Sequence, residues 1–185
     1  MKLKNIEKIC KKTASIYKTQ SENNVFVGSA SGRFLISDRY ADFTTEDFLN
    51  LFGISQKTAD KWYCEENEAT SEEMAIFKDF FKNEKEVFIT DYEFSYDGIT
   101  FKVFKDNKGK IYCAPSFYLL QYKNDDDELS FTVRNEKYLA VKRGMYLDGV
   151  IGLMNKTVHK FFGEKFVEML KGLIEVVEEG MEDGE

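Results

Sequence analysis

Histidine, proline and tryptophan each occur once in the 185 residues, and cysteine three times. Each scarcity removes a chemistry. With His159 as the only histidine, a His-based zinc set or a Ser-His-Asp triad is nearly excluded unless that one ring serves alone. On the flank of a predicted helix it reads as a surface or half-buried side chain. Cys10, Cys64 and Cys113 are odd in number and widely spaced, with no Cys-x-x-Cys pair. That usage suggests reduced thiols in a cytoplasm. Cys10 falls on an apolar face and Cys113 at a strand end, so packing is expected of both. Long apolar runs are absent too, and the opening Met-Lys-Leu-Lys-Asn-Ile-Glu-Lys has no apolar stretch behind it. Neither a membrane span nor a secretory signal is expected.

Two local patterns invite a functional reading and lack a key residue. Gly28-Ser-Ala-Ser-Gly32 is glycine-rich, but Arg33 follows where a phosphate-binding loop needs Lys and Ser or Thr. A tight turn is expected instead. The run Asp125-Asp126-Asp127-Glu128 has neither the spacing nor the glycine of a calcium loop, and reads as a solvated acidic loop. No catalytic residue, metal or cofactor is expected.

What the chain does have is a core and an uneven charge. With 43% apolar and 15% aromatic residues, a chain of this mass buries roughly 70% of its unfolded surface and needs no staples. The net charge of -7 divides sharply. Residues 1–18 hold Lys2, Lys4, Lys8, Lys11, Lys12 and Lys18 against Glu7, a local +5, while residues 164–185 carry a local -6. The total argues against indiscriminate nucleic-acid binding, but the leading segment leaves room for a basic face.

Periodicity organises the rest. Residues 3–12 form a predicted amphipathic helix, with Leu3, Ile6, Ile9 and Cys10 on one side and Lys4, Lys8, Lys11 and Lys12 on the other. Short strands are expected at 14–19, 25–30 and 33–37. Residues 44–83 change character and read as helical, over 46–52 with a capping-box-like start at Thr44 and Asp47, then over 56–63 and 71–81. Strands return at 87–96 and 99–105 around Asp97-Gly98, a strong hairpin signal, and at 110–113. Pro115 suits the first turn of a helix ending near residue 122. Strands at 129–134, 138–142 and 145–153 follow. A last helix over about 156–179 shows an apolar stripe from Val158 to Val177. The pattern is an α+β chain, with a domain over 1–153 and a C-terminal amphipathic helix and acidic tail over 154–185. Placing Gly32 on Gly144 sets Phe26 on Tyr138, Phe34 on Tyr146 and Leu35 on Leu147. That match suggests a duplicated β-α-β-β-β unit.

The duplicated layout resembles one domain of the DNA sliding clamps, the processivity factors of replicative polymerases. Cys113-Ala-Pro-Ser-Phe-Tyr-Leu-Leu is similar to the strand-to-helix step of a clamp half-domain, and residues 138–154 to its closing strand pair. Residues 25–38, 45–54 and 138–144 are also similar to small prophage-encoded proteins of Gram-positive bacteria. The resemblance implies a non-catalytic protein related to DNA replication, with helices facing DNA phosphates. Lys4, Lys8, Lys11 and Lys12 become DNA-contact candidates, the bland alternative being a solvated lysine face. Phe48-Leu49-Asn50-Leu51-Phe52 resembles the short peptide that docks on bacterial clamps, without its usual leading glutamine. Phe48, Leu49, Leu51 and Phe52 are thus partner-binding candidates, core packing being the alternative. Expected partners are duplex DNA, a replication protein, or a second copy through the C-terminal helix. The alternative class is a protein-protein interaction module or regulator without DNA contact.

Overall fold

The computed structural model describes residues 2–21, 24–68, 75–122 and 128–154. The chain opens with helix α1 (Lys2–Thr13) and a three-stranded meander, β1 (Ser15–Ser21), β2 (Asn24–Ser29) and β3 (Gly32–Leu35). Two short helices follow, α2 (Thr45–Leu51) and α3 (Gln56–Ala59), and then β4 (Tyr63–Glu68). A long hairpin of β5 (Lys85–Tyr96) and β6 (Ile99–Asp106) leads into β7 (Ile111–Pro115) and a single 3-10 turn (Ser116–Leu119). The meander β8 (Leu129–Arg134), β9 (Tyr138–Arg143) and β10 (Tyr146–Gly152) completes the described chain. All ten strands join one mixed sheet in the order β4-β1-β2-β3-β10-β9-β8-β5-β6-β7, with β4 parallel to β1 and every other pair antiparallel.

Local chemistry explains most element ends. Thr44 and Asp47 exchange hydrogen bonds as a full capping box at the start of α2, satisfying two of the donors that a helix start leaves open. Asp97 and Gly98 both take positive φ, 47° and 72°, as a two-residue turn between twisted strands requires. Two predicted elements differ. Residues 44–83 are not helical throughout: α3 is one turn, and Tyr63–Glu68 is a strand in register with β1 from Ser15↔Tyr63 to Gln20↔Glu68. The Tyr-Cys-Glu-Glu-Asn-Glu sequence has no alternation to announce it, so the parallel partner decides its state. The helix expected after Pro115 is only the 3-10 turn, because Pro115 itself still belongs to β7, pairing with Phe101. The predicted C-terminal helix, and part of the helix predicted over 71–81, lie outside the described residues.

The middle of the sheet is covered on both faces, which the burial patterns of β2, β9 and β10 register as near-continuous runs rather than alternation. On one face Ile6, Ile9 and Cys10 of α1 pack with Val27, Phe34, Leu139, Val141 and Ile151. Phe104, Tyr112 and Ala114 belong to the same cluster, so the β5–β7 end of the sheet curls back over this face. The Met154 amide donates to the Cys113 carbonyl at 2.8 Å, which ties the end of the β10 meander to β7. On the other face Ile76 and Phe77 pack against Phe26, Ala140, Leu147 and Val150.

The second face is fastened by a buried cation. Arg134 has no solvent exposure; it donates to the carbonyls of Ile76 (2.7 Å), Lys78 (2.6 Å) and Asp79 (3.2 Å), and to the Glu84 carboxylate (3.1 Å). Lys142 binds the other oxygen of Glu84, and the Asp79 carboxylate accepts from the Leu147 amide at 2.7 Å. Desolvation raises the Glu84 carboxyl, but the hydrogen bond from Lys142 and the charges of Arg134 and Lys142 outweigh it and leave it below the ordinary carboxylate value. Removing one member of such a network strands a buried charge, which costs roughly 3–5 kcal/mol. Glu84→Ala is expected to lower the unfolding free energy by about 3–5 kcal/mol, read as a fall in the urea midpoint with the slope unchanged. A loss below about 1 kcal/mol would show that segment 76–84 does not depend on the network.

A second ionic contact joins two turns. Glu136, in the β8–β9 turn with φ 56°, accepts from Lys85 at 3.0 Å and from Lys110 at 2.8 Å. These two lysines pull its carboxyl from 4.5 to about 2. A depressed carboxylate contributes stability that is complete above its unfolded pKa and lost as pH falls through its folded one. Urea midpoints should therefore hold steady above pH 5 and decline between about 4.5 and 2. Glu136→Gln should remove part of that decline, and an identical acid profile in the variant would refute its share.

Candidate nucleic-acid interface on the first helix

α1 is Lys-Leu-Lys-Asn-Ile-Glu-Lys-Ile-Cys-Lys-Lys-Thr. The i, i+3, i+4 spacing of Ile6, Ile9 and Cys10 places all three under the helix, with exposures of 0%, 2% and 0%. The Cys10 thiol reaches the Gly28 carbonyl at 3.4 Å. Burial pushes that thiol up to about 12, and does the same to Cys113, so both stay protonated at neutral pH. Thr13 returns its hydroxyl to the Ile9 carbonyl at 3.0 Å, and Ala14 closes the helix with φ 47°. Lys11 and Lys12 fall in the last turn, where the helix dipole favours cations.

Lys4, Lys8, Lys11 and Lys12 all lie at the surface. They are not equivalent. Lys11 is paired with Glu7 at 2.6 Å, an i, i+4 contact between exposed groups of a kind that contributes a few tenths of a kcal/mol. Lys12 sits over the Phe117 ring at 4.2 Å, which orients the ammonium without neutralising it. Lys4 and Lys8 make no ion pair among the described residues. α1 has no acidic residue in its first turn, although negative charge is what a helix N-terminus attracts. The helix therefore presents a net positive charge along its exposed side, offset at Lys11 by Glu7.

The platform beneath α1 explains the glycines of the Gly-Ser-Ala-Ser-Gly segment. A Cβ on Gly28 would fall 2.0 Å from the Gly32 carbonyl oxygen, and one on Gly32 would fall 2.4 Å from the Tyr118 ring. These residues carry the β2–β3 hairpin, as the sequence suggested. The Tyr118 hydroxyl lies 2.8 Å from the Ser29 hydroxyl, and its neighbour Phe117 is the ring under Lys12. Hairpin, 3-10 turn and helix thus form one packed unit. Sequence reading missed the part played by Phe117 and Tyr118; the pair of glycines spaced by four was the signal for a ring packed close to backbone.

Phe48, Leu49 and Phe52 are buried at 0%, 8% and 4%, whereas Leu51 is 46% exposed. Phe48 packs against Phe43 and Phe52 with ring centroids 5.5 and 6.0 Å apart. In the folded chain three of these four candidates fill the core and Leu51 alone is presented. Using all four as docking anchors requires α2 to leave the core, at roughly 1.5–3 kcal/mol for each large side chain exposed. Among the described residues no three His, Cys, Asp or Glu side chains are grouped to hold a metal ion, and no helix is long and apolar enough to cross a membrane. His159 and Asp125–Asp127 lie outside the described residues; Glu128 is at the surface.

No protein-family model matches the chain, and no curated protein or solved structure matches it.

Gly32→Ala tests the platform. Overpacking against a fixed ring costs typically 1–3 kcal/mol, so the urea midpoint should fall accordingly, and Gly32→Ala combined with Tyr118→Ala should lose less than the two changes summed. Strict additivity would show that the glycine is not there to admit the ring.

Proposed function

We propose that this chain is a non-catalytic, clamp-like binding protein of the phage or prophage type, acting beside DNA replication proteins, whose first helix holds the phosphate backbone of duplex DNA. The observation that carries the reading is the exposed, largely unneutralised lysine face of α1, mounted on a packed sheet by Ile6, Ile9 and Cys10. A helix held rigidly in this way presents its cations at fixed spacing, about 6 Å between residues four apart. Contacts of this kind position a duplex without reading its sequence.

The clamp-like part of the reading draws support from strand order. Counted outward from the β3–β10 pair, the sheet runs β3-β2-β1 on one side and β10-β9-β8 on the other. α1 and the Ser116–Leu119 turn, which precede the two meanders in the chain, share one cluster on the same face. The correspondence has limits. β7 lies three strands away from β8, no strand precedes α1 among the described residues, and a 3-10 turn stands where the second helix is expected.

A second reading, a protein-protein interaction module or regulator without DNA contact, rests on the β5–β6 hairpin. β5 pairs with β8 only over Lys85–Val87, while Phe88, Ile89 and Tyr96 are 55%, 37% and 41% exposed. A projecting strand edge with large apolar side chains is a surface on which another chain can add a strand.

Fluorescence anisotropy with a random-sequence duplex separates the two. If four lysines each displace one counterion, log K falls with log salt at a slope of roughly -3 to -4, or about 100-fold between 0.05 and 0.2 M. Replacing Lys4, Lys8, Lys11 and Lys12 by Glu should abolish binding, and Lys4→Glu with Lys8→Glu should already weaken it severely while the circular dichroism spectrum stays unchanged. Absence of binding at low salt, or indifference to the substitutions, overturns the DNA reading and leaves the hairpin as the interaction surface.

A further inference from the structure

The exposed face of α1 has a second suitor within the same chain. Residues 164–185 contain Glu164, Glu168, Glu175, Glu178, Glu179, Glu182, Asp183 and Glu185 against Lys165 and Lys171. We propose that this acidic C-terminal segment docks on the lysine face of α1 and competes there with polyanions, so that the chain carries its own electrostatic inhibitor. The docking contact stands on its own, whereas the competition with DNA rests on the function proposed above.

The argument begins with where the described chain ends. Met154 is bonded to Cys113 in β7. Cys113 is four residues from Phe117, a span of about 13 Å at most, and the Phe117 ring holds the Lys12 ammonium at 4.2 Å. With the two side chains and both contacts added, Met154 lies within roughly 35 Å of the end of α1. The contour length of residues 155–175 is up to about 70 Å, and α1 itself is only about 18 Å long. The acids from Glu175 onward are thus tethered within contour reach of the whole lysine face.

Charge then selects the partner surface. Residues 2–12 hold five lysines and one acid, the most concentrated positive charge in the sequence. Several other cations are already engaged: Lys85 and Lys110 by Glu136, Lys102 by Glu93, and Lys142 by Glu84. The β4 edge, with Glu65, Glu66 and Glu68, repels an acidic segment. A covalent tether raises the effective concentration, to the millimolar range for short links, so weak individual pairs suffice when several act together. Because those pairs are exposed, salt dissolves them.

Zero-length carbodiimide coupling of the full chain, mapped by peptide mass spectrometry, tests the contact without any nucleic acid. Amide bonds from Lys4 or Lys8 to carboxylates of residues 164–185 should form at about 0.05 M salt and drop several-fold at about 0.5 M. Mixing isotopically heavy and light protein separates bonds within one chain from bonds between chains. No bond to these lysines, or bonds between chains only, overturns the docking. The competition is read separately by anisotropy with the random-sequence duplex. A full chain carrying E175Q, E178Q, E179Q, E182Q, D183N and E185Q should bind about tenfold more tightly than the parent. Equal affinity in a chain that does bind DNA overturns the inhibitor role. Loss of all DNA binding in both chains refutes the proposed function, and the cross-links then still decide the docking.

Discussion

A guanidinium with no solvent exposure sets the terms for one whole side of this molecule. Taking a charge out of water costs several kcal/mol unless its donors are all met, and Arg134 meets them with three backbone carbonyls and one carboxylate from the single stretch 76–84. Residues 75–76 end a helix, whose last carbonyls lack partners in the helix itself, and residues 77–84 run through turns and bends, so these carbonyls are available for this task. In return it lays Ile76 and Phe77 over Phe26, Ala140, Leu147 and Val150. Charge satisfaction and apolar burial are thus coupled: neither the arginine nor the irregular stretch has a stable place without the other. The coupling also specifies register. Arg134 and Lys142 lie on neighbouring strands, β8 and β9, and a one-residue slip of either would turn its cation to the opposite face.

With that face closed, the other is free to carry α1. The two faces use different physics. Segment 76–84 is fastened by directional hydrogen bonds to buried charge. α1 is fastened by area, through Ile6, Ile9 and Cys10, with its charges turned outward. Cations supported in this way cost little to present, because they never leave water. The same separation makes the net charge a poor guide to this molecule. A total of -7 describes neither the lysine helix nor the acidic end of the chain, and what a polyanion meets is the local field within about one Debye length.

Much of the architecture was legible in the chain, and the failures have a common cause. α1, the Asp97-Gly98 hairpin, the Thr44 capping box and the strands of both meanders announce themselves through local chemistry: period, turn residues, side-chain caps. β4 does not, since a Tyr-Cys-Glu-Glu-Asn-Glu strand exists only because β1 offers a parallel edge. The helix predicted over 71–81 is helical at 75–76 but gives way to turns and bends from 77, where its carbonyls meet an arginine nearly sixty residues away. Both depend on contacts distant in sequence. The lysine face was legible for the same reason that α1 was. What remained hidden was its support: Phe117 under Lys12, and Tyr118 over Gly32.

That support bears on how the helix can work. A lysine on a loop would gain a phosphate contact only after ordering its own backbone, a cost of about 1–2 kcal/mol per residue fixed. On α1 that cost has been met by folding. The helix is bonded through Cys10 to Gly28, bridged through Lys12 to Phe117, and carried by β2, the third strand of a ten-stranded sheet. Side-chain entropy is then the main freedom left to lose, and lysine keeps much of it in a loose, water-mediated phosphate contact. In the function proposed above, a surface of this kind would favour weak, salt-sensitive and sequence-tolerant holding, because exposed cations gain little from any single contact and gain it only at low salt.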